Sequence, residues 1–325
     1  MAAQKTFCPP VESARDTALG AEVLQGLLAT PKTLSPWLFY DERGSELFEQ
    51  ITELPEYYVT RTERAILAEH AGEIVREAGE GLAVIELGAG TASKTGLLLA
   101  AAVERQGSVD YHAIDVSETA LTEAKRHLEA ELAGVHVHTR VADYTEGLGQ
   151  IEAPGMRKLV LYIGSSIGNF EPGDATDLLT AVRGELAPGD HLLLGADQVK
   201  DERVLLAAYD DAQGVTAAFN KNVLRRINRE LGADFALNTF AHEARWNGVS
   251  SRIEMHLRSE RAQSVDIPGL ELAIDFAAGE TIHTENSYKF TDARIVVMLE
   301  KAGFALRREW KDERGWFAVY LAEAC

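Results

Sequence analysis

The stretch HTENSYKF, residues 283 to 290, sets an acid, an amide and two hydroxyls side by side at Glu285, Asn286, Ser287 and Tyr288. Such a run is either a solvated loop or the wall of a pocket that reads a small polar molecule. On an extended segment Glu285 and Ser287, two apart, share a face. They would present a carboxylate acceptor beside a hydroxyl that can donate or accept. A second chemical signal is VIELGAGTASKT, where Gly88 and Gly90 let backbone approach a ligand closely. The helix that follows offers free N–H groups at its start. Ser93 fills the third small position of a dinucleotide fingerprint, so this spacing alone leaves a nicotinamide dinucleotide open.

Both signals need elements to hold them. LAVIEL enters the glycine turn and TASKTGLLLAAAVE leaves it as a helix. The alternation continues with YHAID, SETALTEAKRHLEAEL, VHVHTRVAD, KLVLYIGSS, a helix around DATDLLTAVRGEL, and HLLLGAD. Strands alternating with helices predict a parallel sheet built by right-handed crossovers. Before it, Thr60 to Glu63 reads as a capping box opening a helix over 60–79. After Asp197 the rhythm changes: residues 203–231 read as helical, and FAHEARW and RIEMHLR alternate around an Asn247-Gly248 hairpin turn. LELAIDF is expected as a third strand of that inserted antiparallel sheet. The chain closes as helix, strand, turn and strand (RIVVMLEKAGF, ALRREW, DERG, WFAVYLA), and the N-terminal stretch through Glu56 is expected to pack with the insert.

Composition bounds the partners. Hydrophobic residues are 46% and charged residues 26% of 325, ordinary for a globular protein of one elaborated domain or two. Lys+Arg 32 against Asp+Glu 51 leaves a net charge of −19, a field that repels nucleic acid and anionic membrane. Two cysteines, Cys8 and Cys325, form neither a disulfide framework nor a zinc cluster, and no signal peptide or spanning run is visible. A cytoplasmic monomer acting on a small molecule is the expectation. His242, His256 and His283 lack metal-ligand spacing, so no metal is assigned.

Glu-x-Gly-x-Gly at a strand end resembles the first motif of Rossmann-like S-adenosylmethionine methyltransferases. Asp115, ending the second strand, can accept both ribose hydroxyls; Asp143-Tyr144, after the third, suits an adenine amine and ring face. The C-terminal hairpin matches the one that closes this fold's sheet. An Asp after a strand is also an ordinary helix cap or turn residue. Glu86 is read as an indirect partner of the glycine loop or of the cofactor's positive end, and Lys94 as a carboxylate-reading cation or a plain surface lysine.

WLFYDERGSELFEQITELPEYYVTRTE, YIGSSIGNF, AYDDAQGVTAAFNKNVL, RIEMHLR and TENSYKF occur in this order around the glycine loop. The set resembles the histidine-specific Nα-methyltransferases of ergothioneine biosynthesis, which convert L-histidine to its trimethyl betaine, hercynine. The resemblance implies a class I methyltransferase sheet with an inserted α+β substrate-binding domain. Residues 62–198 and 289–325 would hold S-adenosylmethionine (leaving S-adenosylhomocysteine), and 1–61 and 199–288 the substrate. It implies that Asn169, Tyr57 and Tyr209 read the substrate carboxylate and that Glu285 and Ser287 read the imidazole. Gly164 and Tyr40 would lie at the reacting amine, with Met255 as an apolar wall. Plainer readings stand beside these: Met255 alternates with Ile253 and Leu257 as core, Asn169 forms a turn, and Tyr57 and Tyr58 are a half-buried pair. A methyltransferase acting on a ring nitrogen, or on another amino acid such as tryptophan, is the alternative.

Overall fold

The computed structural model describes residues 14–142, 153 and 155–325. The chain opens with α1 (Ala18–Leu28), the two-residue strand β1 (Lys32–Thr33) and α2 (Glu42–Thr52). Helix α3 runs over Tyr58–Ala78, so Thr60 lies inside it and caps nothing. The expected capping box is therefore wrong: Glu63 is fully buried instead of folding back on its own helix end.

The Rossmann-like half follows as β2 (Leu82–Leu87), α4 (Gly96–Gln106), β3 (Val109–Asp115), α5 (Glu118–Glu131), β4 (Val135–Val141), β5 (Arg157–Tyr162), α6 (Pro172–Gly184) and β6 (His191–Asp197). Every residue of β2 and β6 is buried, because helices cover both faces of these central strands. Edge strand β4 buries only Val135 and Val137, which point to one face.

The insert comprises α7 (Glu202–Tyr209), α8 (Val215–Leu231), β7 (Phe240–Asn247), β8 (Arg252–Ser259), β9 (Gln263–Ile267), β10 (Leu272–Phe276) and β11 (Thr281–Tyr288). Asn247 pairs with Arg252, so a four-residue loop joins β7 to β8 rather than a tight Asn-Gly turn. The segment expected as the third strand, β10, pairs only with β9 in a separate ribbon. The third strand is β11, which carries Glu285 and Ser287 and lies between β8 and the N-terminal β1.

The chain returns as α9 (Asp292–Lys301), β12 (Phe304–Lys311) and β13 (Phe317–Ala324), completing a seven-stranded sheet of order β12-β13-β6-β5-β2-β3-β4. Strand β13 is antiparallel to β6, while β2 pairs parallel with both β3 and β5. The strand order reverses at β2, and the crevice beyond the carboxyl ends of such strands is where α/β sheets bind ligands. The two chain crossings into and out of the insert run together: Phe290 N–H donates to Asp197 O at 2.8 Å, and Val199 N–H to Phe290 O at 2.9 Å. No helix among the described residues is long and apolar enough to cross a membrane.

Candidate active site

At the end of β2 the chain turns through Gly88 (φ 70°) and Gly90 (φ 52°), backbone conformations that disfavour a side chain. A Cβ added at either would meet no atom of the described residues within 4 Å, which leaves open space of the kind a ligand cradle needs. The loop is fastened to β3. Gly88 and Ala89 donate to Ile114 O at 2.9 and 3.1 Å, and Gly90 N–H donates to Asp115 Oδ2 at 2.9 Å. Asp115 also closes the turn before α5 by accepting from Ser117 N–H at 2.8 Å, and its remaining lone pairs stay available.

Glu86 does not reach the loop's open side. Its carboxylate accepts from Thr95 Oγ1 at 2.7 Å and from the Tyr111 hydroxyl, tying β2 to the turn before α4. Burial pushes its pKa up to about 7, against those two donors. Lys94 is no plain surface lysine. It precedes α4, whose first residue is Gly96, and forms an ion pair with buried Glu63 of α3.

Glu63 links this corner to the next. Its two oxygens accept from Gly164 N–H at 2.8 and 3.0 Å, and Lys94 Nζ lies 3.4 Å from where a Gly164 Cβ would be. The glycine-loop side and the loop after β5 therefore meet at Gly164. From there a pocket opens between the two sheets, lined by Tyr40, Tyr57, Gly164, Asn169, Tyr209, Met255, Glu285 and Ser287. Phe48, Ile51, Val59 and Phe219 complete an apolar wall. Tyr40 packs edge-on to Phe48 and Phe219, each at 5.8 Å between ring centroids.

Strand β11 supplies one wall through a β-bulge. His283 faces His256 and Glu285 faces Met255, so Thr284 is the extra residue, bonded aside to Asn220 Oδ1 at 2.8 Å. A bulge shifts the alternation by one position. Glu285 and Ser287 thus join the buried face begun by Ile282, while His283 and Asn286 remain partly exposed. Asn286 and Tyr288 answer to the other lobe: they donate to Glu171, at the start of α6, at 3.1 and 2.6 Å, and Arg252 joins them at 2.7 Å. Gly168 lets the turn bearing Asn169 press on this strand, since a Cβ there would stand 2.8 Å from Tyr288 O.

No described group donates a hydrogen bond to the Glu285 carboxylate. Burial raises its pKa to about 7, opposed by the charge of Lys289. A buried carboxylate without a donor is costly in a closed core and useful in a pocket, where a ligand N–H can supply the missing bond. Ser287 Oγ lies 2.7 Å from the Tyr209 hydroxyl, and the Lys289 ammonium reaches both, at 2.8 and 2.9 Å. Tyr57 stacks edge-on to Tyr209 at 6.3 Å, and burial holds its hydroxyl well above the usual pKa.

The model of the family "Histidine-specific methyltransferase, SAM-dependent" matches residues 19–324. This chain belongs to that family. It is 46% identical to the histidine N-alpha-methyltransferase of Mycolicibacterium smegmatis, over 94% of each chain. It is 45% identical to the protein of that name from Mycobacterium tuberculosis, over 96% of each. Ergothioneine biosynthesis protein 1 of Neurospora crassa is 38% identical over 62% of this chain and 23% of its own length. The protein is a methyltransferase, S-adenosylmethionine is its cofactor, and its sheet is that of a class I methyltransferase.

For a histidine-specific methyltransferase, four buried groups escaped the sequence reading. Glu63 read as part of a local capping box, because its partner Gly164 is 101 positions away. Asp197 read as a strand end and Tyr58 as half of an aromatic pair; the Tyr58 hydroxyl in fact donates to Asp197 at 2.8 Å. Lys289 did carry a signal: 285, 287 and 289 have the same parity, so an extended segment aims all three inward. Asp143 and Tyr144 lie outside the described residues.

One consequence concerns the cradle. Gly90→Val would place a branched side chain at φ 52° and fill the open space above the loop. The expected loss of S-adenosylmethionine affinity is about 100-fold or more by calorimetry. A dissociation constant equal to the wild type's, in a folded variant, would remove this loop from the cofactor site.

Proposed function

We propose that this methyltransferase transfers methyl groups to the α-amine of L-histidine, three in succession, making hercynine for ergothioneine biosynthesis. The observation that carries the reading is Glu285: a buried carboxylate without a donor beside the Ser287 hydroxyl, in a pocket that also contains Gly164 and Asn169. Imidazole and α-amino acid ends find complementary groups in one cavity. Residues 62–198 and 289–325 serve as the cofactor domain, and 1–61 and 199–288 as the substrate domain. The protein would act as a monomer on a small-molecule substrate. Two cysteines and a charge of −19 suit the cytoplasm.

The chemistry is an in-line displacement. When bound, the cofactor supplies a methyl group on a sulfonium, already activated for transfer. The open faces of Gly88 and Gly90 and the strand-end carboxylate of Asp115 would hold it, with Asp143 and Tyr144 in the roles the resemblance assigns. The remaining work is alignment and exclusion of water. Glu285 and Ser287 hold the ring; Asn169, Tyr57 and Tyr209 hold the carboxylate; the amine is left against Gly164 and Tyr40. Glu63 fixes Gly164 through its N–H, so the loop at the amine cannot drift. No strong base is required: the free amine enters at mildly alkaline pH, or a proton leaves to water beside Tyr40 before each transfer. Phe219, packed on Tyr40, gives the growing ammonium head an apolar surround, and Met255, opposite Glu285, is an apolar wall at the ring.

Incubation with S-adenosylmethionine and L-histidine should yield a product heavier by up to three methyl groups, with tandem mass spectrometry placing all of them on the α-nitrogen. Methylation of tryptophan and not histidine, or of the ring alone, would sink the assignment.

A further inference from the structure

Lys289 is fully buried, and its ammonium has three protons to place. One goes to Asp197 Oδ2 at 2.8 Å, one to the Tyr209 hydroxyl at 2.9 Å and one to Ser287 Oγ at 2.8 Å. Both hydroxyl oxygens therefore accept from the ammonium. They also lie 2.7 Å from each other, so one O–H proton is spent between them. The second finds no acceptor among the described residues, and Tyr209 and Ser287 both line the pocket. In the pocket, then, this hydroxyl pair leaves one donor, backed by a cation, two positions along the strand from the carboxylate of Glu285.

The charges agree with that polarity. Asp197 is neutralised by Lys200, a second buried ammonium that also bonds the Tyr58 hydroxyl at 2.8 Å. Glu63 is taken by Lys94. Tyr57, Tyr58 and Tyr209 are kept neutral, their hydroxyl pKa values raised by burial. The positive charge of Lys289 is left to balance the negative charge of Glu285. A neutral ring preserves this balance; a protonated ring adds an uncompensated charge to a buried site and points an N–H at a donor.

We propose that Lys289 is a specificity-determining residue: its ammonium, behind Ser287 and Tyr209, fixes those hydroxyls as a donor to the substrate ring and counterbalances Glu285, so that the pocket admits neutral imidazole and rejects imidazolium. This rests on the histidine reading above and adds to it which protonation state of the ring is selected and by what. Lys289 acts through Ser287 and Tyr209, as a positioning group.

The test uses the full chain saturated with S-adenosylhomocysteine, and two ligands measured by calorimetry between about pH 5.5 and 8. One is L-histidine; the other is 1,2,4-triazolylalanine, whose ring has a similar shape and stays unprotonated. Their affinity ratio cancels the titration of Glu285 and of the common amino-acid end. In the wild type the preference for triazolylalanine should grow about tenfold per pH unit below about pH 6, as imidazole protonates. In Lys289→Met that slope should flatten, and histidine binding at pH 8 should weaken by roughly tenfold or more while S-adenosylhomocysteine binding is retained. A pH-independent ratio in the wild type, or a Lys289→Met variant that keeps the wild-type slope, overturns the proposal. Should Lys289→Met fail to fold, the wild-type slope decides. Binding of neither ligand at any pH would overturn the histidine reading itself; binding with a flat ratio overturns only the role of Lys289.

Discussion

Replacing Glu285 by alanine should lower kcat/KM for L-histidine by about four orders of magnitude. A site built to hydrogen-bond a ring N–H loses discrimination on that scale when the bond cannot form. Glu285→Gln keeps an acceptor and loses the charge, so roughly 10- to 100-fold is expected there, the worth of a charge-assisted bond. Tryptophan turnover, measured alongside, should fall less than histidine turnover in both variants. Equal losses for the two amino acids would mean that Glu285 does not read the ring.

The same carboxylate should cost stability. Its folded pKa is raised from 4.5 to about 7 by burial, opposed by Lys289. For an acid whose folded value is raised, the penalty is absent below about pH 4.5, grows as pH climbs toward 7 and is complete above it. In the absence of substrate, Glu285→Gln should therefore be the more stable protein at pH 8, by on the order of 1–3 kcal/mol, and no more stable than wild type near pH 4. A gain in stability with a loss of turnover is the pattern of a group retained for its ligand.

The second large effect is expected at Asp197, which sits where the two chain crossings between lobes run side by side. Its carboxylate accepts from Tyr58 and pairs with both Lys289 and Lys200. Burial alone would raise its pKa, yet the two ammoniums hold it below the ordinary 3.8. Asp197→Ala removes the carboxylate that both buried ammoniums contact, and Lys200 already has its pKa pulled down to about 8, chiefly by burial. Removing one partner of a buried pair costs about 3–5 kcal/mol. For a chain of this size the expected fall in Tm is about 4–7 °C. Denaturant unfolding of Asp197→Ala, Lys289→Met and the double variant would measure the coupling. The double variant should lose less than the sum of the two single losses. An Asp197→Ala protein within about 1 kcal/mol of wild type would show that the network does not hold the lobes. Because the folded pKa is depressed, this contribution is present above pH 3.8 and fades as the pH falls through the folded value.

How much of this was written in the chain differs from element to element. LAVIEL and HLLLGAD are readable as buried parallel strands because a strand covered on both faces must be apolar throughout, and such composition is local. The glycine turn is readable for a similar reason: a positive φ at Gly88 and Gly90 is a property of single residues. The order of motifs across the chain pointed to the family and, through it, to the eight residues that the structure brings into one pocket.

What the chain did not disclose is contact between distant parts. LELAIDF alternates like a sheet strand, yet it pairs with β9 alone, since alternation states a strand's faces and not its neighbours. Thr60 and Glu63 satisfied a local capping pattern. Helix α3 begins two residues before that pattern, and the Glu63 carboxylate meets Gly164 and Lys94 instead. The bulge at Thr284 is equally silent in sequence, because it exists only in the register between β11 and β8. The sequence by itself determined which side chains this protein owns, the sheet that carries them and the family they belong to. Only the tertiary structure decided that Glu285 has no donor among the described residues, that Lys289 stands behind Ser287 and Tyr209, and that Asp197 joins the crossings. Each depends on distances between segments far apart in the chain, and packing alone sets those.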